Sequence, residues 1–284
     1  MKFSIITINF NNKKGLEYTT ESIKKQTFVD YEWIVVDGGS TDGSLEFIQR
    51  KVEESDVWIS EPDDGVYNAM NKGIKLASGE YTIFMNAGDR FHSSSVLEDC
   101  SHITEDLAAG ATDCVLFSDK ESPLFVKRLN VPLQMTAKHI IAYGINHQSV
   151  FIRTALLKKR LYDESLKFVS DYKFFLQVLI EDNCSYQSLP VIVSDYDFSG
   201  MTSIQENQVR QDEERVKVLH ELLYPRIYAD YKLWIDGTTK LQKVLNEIGE
   251  QSMAYRVLTY VAVCIRNMQK CFAFFKFKIL KSNA

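Results

Sequence analysis

The stretch VYNAMNKGIKLASGEYTIFMNAGD, residues 66–89, contains a helical pattern followed by a strand pattern. Apolar or small residues recur at spacings of three and four between positions 66 and 77, which predicts one buried helix face. The apolar run at 81–85 then predicts a buried strand. This strand stops abruptly at Asn86 and Asp89, polar residues that need solvent or partners, and Gly88 allows a tight backbone turn between them.

The same alternation of strand and helix covers the first half of the chain. Continuous apolar runs predict three further strands, at residues 3–10, 32–37 and 56–60. Strands separated by helices form a largely parallel sheet with right-handed crossovers. Ligands bind such sheets beyond the carboxyl ends of the strands, and Asn9, Asp37 and Asp89 all lie at strand ends. We therefore expect a polar site along one edge of the sheet.

The second half of the chain is mixed. Its pattern predicts a hairpin-like pair at 113–119 and 122–130, a strand at 147–153, a helix at 169–182 and a final strand at 190–200. After GMTS (200–203) the pattern is helical to the end, and GTT (237–239) predicts a break.

Composition limits the class of protein. The chain has 284 residues, of which 45% are apolar and 25% charged, so it is globular. A net charge of −5 argues against general nucleic-acid binding. The five cysteines are odd in number and lack CxxC spacing, which favours reduced thiols in the cytoplasm over a zinc site. We expect neither a signal peptide nor a transmembrane helix.

Two motifs contain carboxylates beyond what a turn requires. In VVDGGSTDGS (35–44), the glycines and hydroxyls suit a strand-to-helix turn, and Asp37 is either a ligand for a nucleoside or a cap. No G-x-G-x-x-G follows the first strand, so a dinucleotide fold is not expected. In SEPDDG (60–65), one capping carboxylate would suffice, yet Asp63 and Asp64 are both present.

Together with SIITINFNN (4–12) and HQSVFIR (147–153), these motifs resemble family 2 glycosyltransferases of the GT-A fold. The resemblance extends from residue 3 to about residue 205. It implies an α/β fold with a Rossmann-like, mostly parallel mixed sheet flanked by helices. The catalytic domain would comprise residues 1–205, with a nucleotide-sugar half (1–92) and an acceptor half (93–205), followed by a helical extension (206–284).

The resemblance also implies a reaction. Such enzymes transfer a sugar, with inversion, from a nucleotide diphosphate donor (commonly a UDP-sugar) to a hydroxyl of a glycan or lipid-linked acceptor in polysaccharide biosynthesis. Asp89 matches the last acid of the family's metal motif, which holds Mn²⁺ or Mg²⁺ against the donor phosphates. Asn86 and Gly88 stand where a second acid is common, so this sequence departs from the pattern.

The resemblance assigns the remaining site residues. His147 lies on the acceptor side, and Asp171 is the catalytic base, with Asp163 and Glu164 as rivals and a helix cap as the alternative for Asp171. The nucleotide sugar would be bound by Thr7, Asn9, Asp37, Asp64, Lys72 and Asn86.

Two other functions compete with transfer: sugar-nucleotide binding without catalysis, and nucleotidyl transfer, although NFNNKKG offers only one glycine for a phosphate loop. From residue 254 an apolar stripe opposes a basic face, which predicts a terminal helix. Peripheral attachment to an anionic membrane surface, on the inner face of the cytoplasmic membrane, is one interpretation. Packing against the catalytic domain or in a homo-oligomer is the other.

Overall fold

The computed structural model describes residues 1–53, 56–116, 124–198 and 205–248 of the chain. The strands in these ranges are β1 (Phe3–Asn9), β2 (Tyr31–Asp37), β3 (Val57–Ser60), β4 (Tyr81–Phe84), β5 (Arg90–Phe91), β6 (Leu107–Leu116), β7 (Leu124–Leu129), β8 (Val150–Arg153) and β9 (Tyr186–Asp197). The α-helices are α1 (Lys13–Lys24), α2 (Ser44–Lys51), α3 (Val66–Leu76), α4 (Val96–Asp99), α5 (Ala137–Tyr143), α6 (Thr154–Lys159), α7 (Ser170–Leu176), α8 (Gln205–Leu222) and α9 (Pro225–Ile248).

The strands form one mixed sheet in the order β3-β2-β1-β4-β8-β6-β9-β5, and β7 pairs with β6. The neighbours β3, β2, β1 and β4 run parallel, as the alternating sequence pattern predicts. The chain then reverses, because β8 is antiparallel to both β4 and β6. The predicted mostly parallel mixed sheet is confirmed.

Helices α1, α2 and α3 pack against the parallel half, and β1, β2 and β4 are almost entirely buried. Phe3, Ile5, Trp33 and Ile83 are fully buried in this core. The backbone of α3 approaches β1 closely because residue 73 is glycine: a Cβ there would lie 2.6 Å from Cγ2 of Ile6. This packing fixes the loop before α3 over the carboxyl edge of the sheet.

Several predicted boundaries differ from the structure. Residues 147–149 form a 3-10 turn, so β8 covers only the end of the predicted strand at 147–153. The predicted helix at 169–182 is α7 followed by a π-helical turn, Gln177–Glu181. The predicted break at 237–239 is wrong, because α9 continues through it. One glycine costs a helix about 1 kcal/mol relative to alanine, which a 24-residue helix tolerates.

The chain divides into two compact units, Met1–Leu222 and Leu223–Ala284. The first contains the sheet and α8, whose Glu221 accepts a hydrogen bond from Nζ of Lys173 on α7. Of the second unit, the structure describes the segment up to residue 248, which is mainly α9. The predicted boundary near residue 205 stays a prediction. Among the described helices, none is long and apolar enough to span a membrane. The predicted terminal helix from residue 254 and the GMTS segment lie outside the described residues.

Candidate functional site

Three parallel strands end side by side at the edge where the sequence predicts a site. Asn9 of β1 pairs in register with Asp37 of β2, and Asp37 pairs with Ser60 of β3. The polar side chains that follow the apolar runs therefore meet in space. β4 ends beside β1, which adds the turn at 86–89 to the same edge.

Asp37 is the centre of this edge. Its Oδ1 accepts hydrogen bonds from Nδ2 of Asn9 (2.8 Å) and Oγ of Ser40 (2.6 Å), and its Oδ2 accepts from the Ser40 amide (2.9 Å) and Oγ of Ser60 (2.7 Å). Burial raises the pKa of Asp37, but these four donors outweigh burial and lower it below the ordinary value. About four acceptor positions are available on a carboxylate, so Asp37 is saturated by protein groups.

The other predicted nucleoside residues near β1 differ in accessibility. Thr7 is fully buried and accepts a hydrogen bond from Nε1 of Trp33 at 2.9 Å, so its side chain belongs to the core below the edge. Asn9 donates to Asp37, while its Oδ1 has no hydrogen-bond partner in the part of the chain that is described. Asn9 thus offers an acceptor at the edge, whereas Thr7 is part of the core.

The loop before α3 brings Asp63, not Asp64, against the end of β2. Oδ2 of Asp63 lies 2.5 Å from the position that a Cβ on Gly38 would occupy, so the carboxylate packs where the glycine leaves room. Asp64 is exposed. Lys72 on α3 donates to the Pro62 carbonyl (2.9 Å) and pairs with Glu61 (2.8 Å). Lys72 therefore anchors this loop and is not grouped with Asp89.

The turn after β4 presents Asp89. Gly88 has a φ of +114°, which only glycine adopts without strain. Thr19 on α1 fixes the turn: its hydroxyl bonds the Asp89 carbonyl (2.7 Å) and accepts from the Gly88 amide (3.0 Å). The Asp89 side chain is buried, and its Oδ1 accepts from the Asp197 amide at 3.0 Å. Burial raises the pKa of Asp89 to about 7, although a Gln148 side-chain bond and the Asp197 amide favour the charged form.

Asp171 lies at the start of α7 and is bonded to two other elements. Its Oδ1 accepts from the Tyr67 hydroxyl at 3.0 Å, and its Oδ2 lies 3.0 Å from Nδ1 of His147. Burial raises the pKa of Asp171, but the hydrogen bond and charge of His147 and the Tyr67 hydroxyl outweigh burial and lower it. Val169 occupies the cap position of α7 without a side-chain bond, so Asp171 is not the helix cap.

His147 connects Asp171 to the end of β4. A carboxylate only accepts, so Nδ1 carries the proton, and Nε2 lies 3.3 Å from Nδ2 of Asn86. The edge of the ring contacts Phe84, with the two ring planes at 87°. The side chain of the next residue, Gln148, lies close enough to Asp89 to favour the charged form of that carboxylate and lower its pKa. The turn at 147–148 thus holds the two carboxylates that the sequence predicts as base and metal ligand.

The rival acids have structural partners. Asp163 pairs with Lys173 at 2.9 Å and accepts a hydrogen bond from Ser165. Burial raises the pKa of Asp163, but these two partners outweigh burial and lower it to about 2. Glu164 accepts from Asn68 (2.8 Å) and Asn71 (2.7 Å). Both acids therefore fasten the segment 162–165 to α3 and α7.

A separate group could hold a metal ion. Ligand atoms of His92, Asp113 and Asp195 all lie within 4.8 Å of one another. Asp113, however, is already bound by both Nε and Nη2 of Arg128 (2.6 and 2.8 Å), and His92 pairs with Asp195 at 2.7 Å. The two carboxylates of this group therefore already have protein partners.

Comparison with known proteins decides the family. The model of the family "Glycosyl transferase family 2" matches residues 4–166, more than half of the chain. The chain belongs to glycosyltransferase family 2. An uncharacterized glycosyltransferase of Mycobacterium tuberculosis is 30% identical to it over 223 residues, covering 76% of this chain and 83% of the relative. The predicted family and enzyme class are therefore confirmed.

Solved structures agree on the fold of this glycosyltransferase. TarS of Staphylococcus aureus in complex with UDP-GlcNAc has a TM-score of 0.54 at 21% identity, covering 69% of this chain and 58% of that one. The mannosyltransferase PcManGT of Pyrobaculum calidifontis, in complex with GDP-Man and Mn²⁺, has a TM-score of 0.59 at 14% identity, covering 93% and 80%. The GT-A fold is thereby confirmed. Both neighbours bind nucleotide sugars, as their complexes show.

Proposed function

We propose that this glycosyltransferase moves a sugar from a nucleotide diphosphate sugar, most simply a UDP-sugar, to a hydroxyl of a glycan or lipid-linked acceptor, with inversion. One observation carries the proposal: the turn at His147 and Gln148 joins Asp171 on α7 to Asp89 at the end of β4. Direct displacement needs a base for the acceptor hydroxyl, and a carboxylate on the phosphate side can hold a cation for the leaving diphosphate. The UDP-GlcNAc and GDP-Man complexes of the structural neighbours support a nucleotide-sugar donor.

The nucleotide would bind along the edge formed by β1, β2 and β3. Asn9 offers an acceptor oxygen there, and Asp63 and Asp64 lie in the loop that Lys72 holds over the edge. Asp37 organises the edge through its four hydrogen bonds, so its contribution to a nucleoside is through Asn9, Ser40 and Ser60. Asn86 sits where β4 ends and faces the His147 ring, which is where the sugar and diphosphate meet in this arrangement.

The residues at Asp89 fit a divalent cation. Mn²⁺ and Mg²⁺ take oxygen ligands, and the site offers the Asp89 carboxylate and the Oε1 atom of Gln148, a buried oxygen with no partner among the described residues. A bound cation would offset the charge of the leaving diphosphate. The PcManGT complex contains Mn²⁺, which supports this assignment.

Asp171 would perform the proton transfer. As the acceptor oxygen bonds to the anomeric carbon and the bond from that carbon to the diphosphate oxygen breaks, the hydroxyl proton moves to the Asp171 carboxylate. The depressed pKa keeps Asp171 ionised near neutral pH, so it is ready to accept. Tyr67 and His147 fix both oxygens and thereby orient the remaining lone pairs toward the acceptor.

A donor panel tests the proposal without knowledge of the acceptor. The full chain is incubated with UDP- and GDP-sugars and Mn²⁺. Two quantities are measured: the melting temperature, and the nucleoside diphosphate that is released when the sugar is transferred to water. We expect one nucleotide class to raise the melting temperature and its sugar conjugates to be hydrolysed slowly. Stabilisation without any turnover, by water or by added glycan acceptors, would instead favour a binding protein.

A further inference from the structure

The end of the last strand, β9, places a second carboxylate beside Asp89. The Asp197 backbone amide donates to Oδ1 of Asp89 at 3.0 Å, so the two residues are fixed relative to each other. The sequence between Asn86 and Asp89 lacks the first acid of the family's metal motif. Asp197 is 108 residues further along the chain, yet the fold brings it to this turn.

Gly88 makes room for this carboxylate. A Cβ at position 88 would lie 3.2 Å from Oδ2 of Asp197, closer than most real Cβ contacts. The Asp197 carboxylate therefore lies against the turn that presents Asp89. Gly88 stands where an acid is common in the family, and the Asp197 carboxylate of β9 packs against it.

The side chain of Gln148 also lies beside Asp89. Gln148 is 4% exposed and its side chain favours the charged form of the Asp89 carboxylate, while its Oε1 has no hydrogen-bond partner in the described part of the chain. Buried polar atoms are nearly always satisfied, so this oxygen indicates a partner other than the described residues. A hard divalent cation, which prefers carboxylate and amide oxygens, is such a partner.

We propose that Asp197 takes the place of the missing acid and, with Asp89 and the Gln148 amide oxygen, holds the divalent cation of the donor complex. The assignment rests on the proposed function, because the cation accompanies a nucleoside diphosphate. One carboxylate from the turn after β4, one from the end of β9 and one amide leave the remaining coordination positions for phosphate oxygens and water. Binding of the cation would then also fix the end of β9 to the turn after β4.

Direct Mn²⁺ binding tests this assignment. Electron paramagnetic resonance measures free Mn²⁺ during titration of the full chain in the presence of UDP, for the parent, Asp197→Asn and Asp89→Asn. We expect Asp197→Asn to weaken Mn²⁺ binding at least tenfold and Asp89→Asn to weaken it further. Asp195→Asn is the matched control: it is two residues away on β9 and belongs to the group with His92 and Asp113. We expect it to bind Mn²⁺ like the parent.

A second variant protects the test against misfolding. Asp197→Cys replaces a carboxylate by a soft thiolate, which should shift preference from Mn²⁺ toward Cd²⁺ if residue 197 is a ligand. A folded Asp197→Asn with parent Mn²⁺ affinity, an unchanged metal preference in Asp197→Cys, or a loss confined to Asp195→Asn would overturn the assignment. If the parent binds UDP but does not bind Mn²⁺, the metal-site assignment fails while the proposed transfer stands. If it binds neither UDP nor GDP, the proposed function itself fails.

Discussion

Nδ1 of His147 lies 3.0 Å from Oδ2 of Asp171, while Nε2 of the same ring lies 3.3 Å from Nδ2 of Asn86. One imidazole thus connects α7, which carries the proposed base, to the end of β4, which carries residues proposed to bind the donor. Because Tyr67 holds the other Asp171 oxygen, the carboxylate is fixed from two sides. Its position follows from three separate elements, not from α7 alone.

Variants of His147 should distinguish the contributions of its two ring nitrogens to turnover. The amide of His147→Asn can reproduce the donor at the Nδ1 position, whereas that of His147→Gln reaches the Nε2 position. A hydrogen bond to a charged group contributes about 1.5–3 kcal/mol, so losing it should lower turnover about 10- to 100-fold. We expect His147→Ala and His147→Gln to lose this much kcat with little change in UDP affinity, and His147→Asn to keep most of it. If His147→Asn is as slow as His147→Ala, Nε2 matters more than the bond to Asp171.

Asp163→Asn should change stability but not chemistry. The parent and variant should turn over donor at similar rates, because Asp163 is committed to Lys173 and Ser165. At pH 7 the melting temperature should fall by about 2–4 °C, the effect of about 1 kcal/mol in a domain of this size. Parent-like stability combined with lost turnover would make Asp163 the base in place of Asp171.

The stability difference should also depend on pH. The pKa of Asp163 is about 2 in the folded protein, below its ordinary value of 3.8, so ionised Asp163 stabilises the fold above about pH 4. That contribution is lost as the pH falls from about 4 through 2. The gap in free energy of unfolding between parent and Asp163→Asn, measured by denaturant titration, should therefore be constant near neutrality and shrink in acid. A gap that stays constant to pH 2 would contradict the ionic contribution.

Asp37→Asn should weaken the nucleotide edge and the fold together. An amide NH₂ would replace one carboxylate oxygen and face two of its four donors, either Asn9 and the Ser40 hydroxyl or the Ser40 amide and Ser60. An unsatisfied buried donor costs about 1–3 kcal/mol, so we expect a lower melting temperature and weaker UDP binding. Lys72→Met is the matched comparison: it should loosen the loop at 61–65 and weaken UDP binding with a smaller thermal effect. Unchanged UDP binding in Asp37→Asn would remove Asp37 from the account of the nucleotide site.

The terminal segment supplies a prediction that rests on sequence alone. Arg256, Arg266, Lys270, Lys278 and Lys281 oppose an apolar stripe in the predicted helix. Attraction to anionic lipid is worth about 1 kcal/mol per basic residue near the surface. The full chain should co-sediment with vesicles containing phosphatidylglycerol, and reversal of Lys270, Lys278 and Lys281 to Glu should release it. Binding unaffected by lipid charge or salt, or a change from dimer to monomer on reversal, would identify an assembly element.

The parallel half of the fold follows from sequence because its signals are local. The strands at 3–10, 32–37, 56–60 and 81–85 are apolar runs that end in turn residues, and each is a strand with one bound shifted by one residue. The break at 237–239 failed for the opposite reason: a glycine is a weak local signal, and a long helix overrides it.

The residues of the candidate site could be predicted from the sequence only in part. Asp37, Asp89, His147 and Asp171 sit in recognisable motifs, and the structure brings the last three together. Asp197 and Gln148 were missed, because their proximity to Asp89 depends on the pairing of β9 with β5 and on the turn before β8. The available signals were a second acid at the end of SDYDF and an amide directly after His147. Asp63 and Asp64 are adjacent in sequence, and only the packing against Gly38 distinguishes them.

The anomeric configuration of the first product tests the central claim most directly. Proton NMR follows hydrolysis of the preferred α-linked nucleotide sugar by the full chain with Mn²⁺, before mutarotation mixes the anomers. Direct displacement with Asp171 as base predicts that the β anomer appears first, and that Asp171→Asn lowers its rate about 10²- to 10⁴-fold with UDP affinity retained. Appearance of the α anomer first, or a folded Asp171→Asn that releases sugar at the parent rate, would contradict the account.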